Sequence, residues 1–319
     1  MSKQNGAAKK SIFKDQRVLL GIVIIAIIAV VSFINPKFIA VKNMITILQQ
    51  ISVTGILTMA MSILLIGGGV DLSIGNLMVL SGVSMAELIS LGYSVPIAVL
   101  AGIAVGIAGG LLNGVIIARS KCIPLIITLG TSQVFYGLAL TVSGGRIMSF
   151  DGAFNFIGKT KLGGVFPVML FVLAIVIVIS YIAMNYTKFG RRLTCIGGNE
   201  KTAFLSGINV VRYKAIMYGI AGFYCAIAAI VFSSRIDSIT ANAGSGYETN
   251  ALTAAIIGGV TFDGGKGTIT GAFLGCILMG VISNAMNILK VETYVQTIIT
   301  GVIIVCAVVL SNYNNIKRS

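Results

Sequence analysis

The chain has no histidine, and its five cysteines (Cys122, Cys195, Cys225, Cys276 and Cys306) form no CxxC pair. Neither a zinc site nor a disulfide framework is read from such a set. Only nine residues are acidic, and no nucleophile–base pairing is spaced for covalent catalysis. GGKGT (264–268) is not a phosphate-binding loop, because Gly267 rather than Ser or Thr follows Lys266. What remains is a group of polar residues inside apolar stretches: Glu87, Asn113, Thr128, Thr131, Ser132, Gln133, Glu248, Asn250, Ser283, Asn284 and Asn287. Uncharged amides and hydroxyls with few carboxylates suit a neutral hydroxylated solute better than an ion. A proton- or sodium-coupled carrier usually shows more buried acids or histidines. The chemistry indicated is recognition, without bond making.

GGGVDLSIGN (67–76) adds a second kind of feature. Its glycines allow backbone conformations closed to other residues, and Asp71 and Ser73 are positioned to cap the helix that follows. The competing reading is a broken helix lining a permeation route, since unwound backbone is tolerated in a membrane only beside protein or water. Glu87 falls within an apolar helix, where a carboxylate costs about 2.5–3.5 kcal/mol on insertion scales, so it must face protein, water or a partner. Any single Asn or Ser of the group reads most simply as an interhelical hydrogen bond. Gly102, Gly106, Gly110 and Gly114 recur every fourth residue, as do Gly267, Gly271 and Gly275, and this spacing predicts tight helix packing.

The elements that position these residues follow from composition. Of the 319 residues, 56% are hydrophobic and only 10% charged, against about 25% charged in soluble domains. The expected fold is all-α: a polytopic membrane protein of about ten transmembrane helices at about 20 residues each. The predicted spans are 18–34, a helix ending at Gly67 after an amphipathic lead-in (38–47), 76–91, 95–118, 124–142, 165–184, 215–233, a short one at 247–260, 268–289 and 293–310. The first span follows a basic N-terminus with no small-residue cleavage site after it, so it reads as uncleaved. With the N-terminus inside, most of the 23 basic residues fall in cytoplasmic segments. Lys37, Lys42, Arg146, Lys159, Lys161, Arg235 and Lys290 lie outside, and both termini are cytoplasmic. The net charge of +14 is thus explained by orientation and anionic lipid rather than nucleic acid. Five helices per half would give inverted-repeat halves. GGGVDLSIG (67–75) and GGVTFDGGKG (258–267) occupy non-equivalent places in such a scheme and read as two similar helix breaks.

Asn185–Lys214 is the longest polar, basic interruption between apolar runs. Within it Asn199 can cap a short helix, Glu200–Ser206, that Gly207 ends. Ala203, Phe204 and Leu205 are expected to form its exposed apolar knob, a shape suited to docking in a cleft of a soluble protein. Arg191 and Arg192 read as interfacial anchors.

Several stretches resemble the permease subunits of bacterial ABC importers, specifically the ribose-type sugar permeases: 43–75 (NMITILQQISVTGILTMAMSILLIGGGVDLSIG), 189–210 (FGRRLTCIGGNEKTAFLSGINV), 246–275 and 292–310. The broader family also holds permeases for nucleosides and branched-chain amino acids. The resemblance implies a single permease domain (18–311) with a coupling loop (185–214), between a cytoplasmic basic segment (1–17) and a cytoplasmic tail (312–319). It implies a second permease subunit in a homodimer, an ABC ATP-binding subunit and an extracytoplasmic solute-binding protein, all at the bacterial cytoplasmic membrane. ATP and magnesium would be used by the partner ATPase, with no cofactor on this chain. The ATPase-coupling residues implied are Asn199, Glu200, Ala203, Phe204, Leu205 and Gly207. The importer motif E-A-A-x-x-x-G is kept from Ala203 to Gly207, but Glu200 stands one place early and Thr202 takes the middle position. The candidate translocation pathway comprises Asp71, Ser73, Glu87, Asn113, Gln133, Glu248, Asn250 and Asn284; the resemblance itself picks out Asp71, Leu72, Ser73 and Gly75. The outer mouth is expected from the loops at 144–164 and 235–246. The expected function is ATP-driven monosaccharide import by alternating access, with ribose or a related sugar as solute. The alternatives are a nucleoside, another hydroxylated solute, a branched-chain amino acid, or an ATP-independent secondary carrier.

Overall fold

The computed structural model describes residues 16–120, 122–162 and 166–316. The N-terminal segment to residue 15, with Lys3, Lys9, Lys10 and Lys14, lies outside the described residues. So do Lys121, residues 163–165, Lys317 and Arg318.

Helix α1 (Gln16–Ile34) is apolar from Val18 to Val31. Asn35 ends it and accepts a hydrogen bond from the Lys37 amide (3.1 Å) to open a 3₁₀ turn, Pro36–Ile39. The amphipathic lead-in expected at 38–47 is not a separate piece: from Val41 it is the first turns of α2 (Val41–Ile66). From Ile51 on, α2 is almost wholly buried, so its apolar character on every side marks a central helix. A glycine break leads to α3 (Ile74–Ser90), then α4 (Val95–Ser120) and α5 (Pro124–Ser143). The following loop contains β1 (Met148–Ser149), a short helix α6 (Asn155–Lys159) and the small ladder of β2 (Lys161–Leu162) with β3 (Phe166–Pro167). Then come α7 (Val168–Tyr186), α8 (Lys188–Gly198), α9 (Glu200–Leu205), α10 (Val210–Ile236), β4 (Ser238–Ile239), α11 (Tyr247–Ile257), α12 (Ile269–Ile288) and α13 (Thr293–Ile316). The polar interruption at 185–214 is therefore mostly helical.

Among the described residues, seven helices are long and apolar enough to cross a membrane: α1, α2, α4, α5, α7, α10 and α12. The apolar stretches Ile74–Ser90 and Thr293–Val309 are shorter. The protein is an all-α polytopic membrane protein.

The core is the pair α2 and α10, and the other helices pack around it in corresponding ways. Helix α4 runs along α10 as α12 runs along α2. Helix α3 touches α10, α4 and α5, as α11 touches α2, α12 and α13. The first helices break this correspondence, because α1 lies on α12 whereas α7 lies on α2. In the predicted glycine ladder Gly102 packs on Met85 of α3, and the other three make the α4–α10 contact. A Cβ at Gly106 would overlap the Gly222 carbonyl, one at Gly110 the Tyr218 carbonyl, and one at Gly114 would sit 2.8 Å from the Ala215 Cα. In the second ladder Gly271 and Gly275 meet the Gly258 and Ala254 carbonyls of the α11 segment. Gly267, expected in that helix, instead lies before it with φ +146, because Thr268 caps α12 by accepting from the Gly271 amide (3.1 Å).

Candidate translocation site and coupling helix

Helix α11 has 11 residues, about 16 Å of rise, roughly half of a 30 Å hydrocarbon layer. Its approach explains the shortfall. Helix α10 ends at Asp237 in a left-handed cap (φ 60), and β4 pairs antiparallel with β1, joining the two loops expected at the outer mouth. Asp237 fastens them further: its carbonyl accepts from the Phe150 amide (3.2 Å) and its carboxylate from the Gly152 amide (3.0 Å). Ile239 then packs on Gly82 of α3, and Gly244 packs on Gly75 so closely that a Cβ on either would overlap the other's carbonyl. Gly82 and Gly75 are two helical turns apart, about 10 Å along α3. Segment 240–246 thus descends along α3 as a chain of turns, Ala243 to Thr240 (3.0 Å) and Ser245 to Asn242 (3.2 Å). Gly246 (φ 85) then starts α11. Such irregular backbone is tolerated at depth where protein or a water-filled space surrounds it.

Cavities flank this half-helix. One, of about 410 Å³, is lined by Leu72, Asn76, Ser132, Gln133, Tyr136 and Glu248, with Asn242, Ser245 and Thr249. The other, of about 370 Å³, is lined by Gln50, Thr54, Arg235, Tyr247, Asn250, Gln296 and Thr300, and again by Ser245. Residues 247–250 therefore present Glu248 and Thr249 to one side and Tyr247 and Asn250 to the other. Glu248 accepts from the Gly246 amide (3.2 Å) at the helix N-terminus, where a carboxylate is favoured. Asn76 donates to the Ser132 hydroxyl (2.8 Å) and carbonyl (3.1 Å), tying α3 to α5 beneath the first cavity. At the second, Gln50 Oε1 is buried with no hydrogen-bond partner among the described residues. Two phenol rings, one at each cavity, with amides, hydroxyls, one carboxylate and one guanidinium provide both apolar faces and convergent polar groups.

Asp71, Ser73 and Asn113 come together, but as a buried knot rather than a lining. Asp71 Oδ1 accepts from the Ser73 amide (2.8 Å) and hydroxyl (2.5 Å). Asn113 Nδ2 donates to Asp71 Oδ2 (3.2 Å) and Ser73 Oγ (2.9 Å). The expected helix cap is corrected here: the Ser73 side chain makes no cap bond to α3, because its hydroxyl is engaged by Asp71 and Asn113. Tyr218 donates to the Val70 carbonyl (2.9 Å), so α4 and α10 both hold the break between α2 and α3. The knot positions Leu72 and Asn76 at the first cavity.

Glu87 and Asn284 line neither of these cavities. Asn284 and Asn43 exchange hydrogen bonds (2.9 and 3.1 Å), pinning α12 to the start of α2. Sequence reasoning missed Asn76, Tyr136, Gln50 and Gln296. Asn76 closes the glycine motif already singled out, and Tyr136 lies three residues after Gln133, on the same helical face.

At the opposite end from the β1–β4 pairing, Thr187 caps α8 by accepting from the Phe189 amide (3.1 Å). Leu193 and Ile196 are buried and Arg191 and Arg192 exposed. Arg192 donates to the Tyr213 hydroxyl (2.7 Å) and lies over its ring. Asn199 caps α9 as expected, accepting from the Thr202 amide (2.9 Å), and Gly207 (φ +79) ends it. Glu200 pairs with Lys214 at 2.5 Å. Ala203, expected on the exposed knob, is 3% exposed and packs with Ile196 and Val210. Phe204 and Leu205 alone project, at 68% and 76%.

A multi-pass helical bundle with an unwound approach to a half-helix, flanked by polar cavities, defines a membrane permease. Residues 43–308 match the family model described as branched-chain amino acid transport system / permease component, and the chain belongs to that family. It is 35% identical over 294 residues to the ribose import permease protein of Bacillus subtilis (strain 168), covering 91% of this chain and 90% of that one. It is 35% identical over 289 residues to the D-allose transport system permease protein of Escherichia coli (strain K12), covering 89% and 88%. The L-arabinose transport system permease protein of the same strain is 34% identical over 319 residues, covering 98% and 97%. No solved structure matches the chain. It is a multi-pass permease of the bacterial inner membrane.

Proposed function

We propose that this chain is the membrane subunit of an ATP-driven, binding-protein-dependent importer of a monosaccharide, with ribose the favoured solute. The half-helix α11 and its unwound approach, set between two cavities lined by amides, hydroxyls, Tyr136 and Tyr247, with Glu248 at one and Arg235 at the other, carry the reading. The relatives' names add ribose, allose and arabinose, all neutral polyhydroxylated sugars. Segment 240–246 with α11 supplies the crossing that α11 alone is too short to make. This supports ten crossings, cytoplasmic termini flanking one permease domain, and inverted-repeat halves in which the breaks before α3 and α11 correspond. Two copies pair through faces such as that of α5, where Gly130 and Gly137 have open space. The solute-binding protein sits over the β1–β4 mouth. The ATP-binding subunit, which uses ATP and magnesium, takes Phe204 and Leu205 of α9. This chain binds no cofactor and makes no covalent change.

Reconstituted vesicles test this. With both partner proteins and ATP they should accumulate ribose in preference to a nucleoside or leucine. Accumulation by this chain alone under an ion gradient would instead identify a secondary carrier.

A further inference from the structure

The glycine breaks before α3 and after α11 meet the end of α8 at one point, with no side chain between the three backbones. The Gly265 amide donates to the Ile66 carbonyl (2.9 Å), joining one break to the other. Gly197 fills the space between them. A Cβ there would overlap the Ile66 carbonyl and lie 2.6 Å from the Gly265 amide nitrogen and 3.0 Å from the Gly67 carbonyl carbon. From the other sides, a Cβ at Gly68 would lie 3.2 Å from the Gly197 Cα, and one at Gly264 2.7 Å from the Gly197 oxygen. Gly68, Gly264 and Gly265 all have positive φ (77, 84 and 70), so each contour is closed to other residues.

This joint lies two residues from the exposed coupling helix. Asn199 ends α8, its amide bonding the Cys195 carbonyl (3.1 Å), and also caps α9, so no spacer separates them. Leu193 anchors α8 against Gly67, and the Glu200–Lys214 pair holds α9 to α10. On the far side of the joint the chain runs from Gly68 into the Asp71 knot and on to Leu72 and Asn76 at the cavity wall. Close-packed backbone transmits displacement rather than absorbing it.

We infer that Gly197 is a positioning residue for transport: the backbone joint it forms passes movement of α9 to the break before α3, which leads to the first cavity, and to the break after α11. This rests on the importer reading above. Its neighbour supplies the control, because a Cβ at Gly198 would meet nothing within 4 Å. In vesicles with the ATP-binding subunit and binding protein, Gly198→Ala should transport within about twofold of wild type. Gly197→Ala should lose uptake by at least about tenfold, within the usual range of coupling between sites, while ATPase binding and basal hydrolysis persist. Should Gly197→Ala fail to insert, two glycines inserted between Gly198 and Asn199 keep the contacts of Gly197 itself while breaking the Asn199–Cys195 link between α8 and α9, and should give the same uncoupling. Full uptake in the insertion variant, or uptake lost only in step with ATPase binding, overturns the inference. Absence of ATP-driven uptake in wild type strikes the importer reading instead.

Discussion

Several buried polar side chains hold one another and the backbone rather than line a cavity. Asn113 is fully buried, and its amide nitrogen serves both Asp71 and Ser73. Replacing it with Ala leaves Asp71 Oδ2 without that donor, a loss of roughly 1–3 kcal/mol for a buried acceptor left unsatisfied. Asn113→Ala should therefore lower the thermal unfolding midpoint of the detergent-solubilised protein by about 5 °C. An unchanged midpoint with impaired uptake would mean the knot contacts solute instead. The docking knob illustrates the limits of spacing. From sequence, Ala203, Phe204 and Leu205 look alike; in the fold, Ala203 faces α8 and α10, where a carboxylate would break packing. Phe204→Asp with Leu205→Asp is thus the clean docking variant. It should keep the wild-type midpoint and lose co-purification of the ATP-binding subunit, whereas Ala203→Asp should lower the midpoint. Cap chemistry at Asn199 and Gly207 was legible because it is local; burial of Ala203 depends on side chains brought in from Ile196 and Val210.

At the level of elements, the helices were readable from apolar length and their ends from Pro, Asn and Gly. The depth of segment 240–246 was not. Its residues are polar and glycine-rich, which reads as an outer loop, and the descent along α3 is revealed by contacts between distant parts of the chain, Ile239 on Gly82 and then Gly244 on Gly75. The same contacts explain why α11 is short: the chain has already travelled inward before helix begins. Gly244→Ala should push the segment off α3 and close or distort the 410 Å³ cavity, lowering uptake by about tenfold or more with ATPase binding intact. Gly145→Ala provides no matched control, since its φ of 72 is itself closed to other residues. Gly130→Ala, in open helix surface, tests the copy–copy face instead. Wild-type uptake in Gly244→Ala would show that the cavity beside α3 is not on the route.

Over the whole molecule, the contacts separate two ends. Gly68, Gly197 and Gly264 meet at one; β1, β4 and the Asn43–Asn284 pair lie at the other. Positive charge names the first as cytoplasmic, and the proposed ten crossings would place both termini on that side. Free cysteines make this measurable, because Cys122 and Cys195 are exposed near that end while Cys225 and Cys276 are buried. A membrane-impermeant maleimide should label Cys122 and Cys195 only in inside-out vesicles. In a variant lacking Cys122, Cys195 and the exposed Cys306, Ser149→Cys on β1 should react only in right-side-out vesicles, and Ser2→Cys and Ser319→Cys only in inside-out ones. Ser319 is the decisive position. If 240–246 and α11 together cross the membrane, the count up to α13 is even and the C-terminus returns inside. If α11 merely dips and returns, every later segment inverts and Ser319→Cys reacts from outside. In that case Lys266 would also move out and Lys290 in, and the inverted correspondence of α3 with α11 would lose its basis.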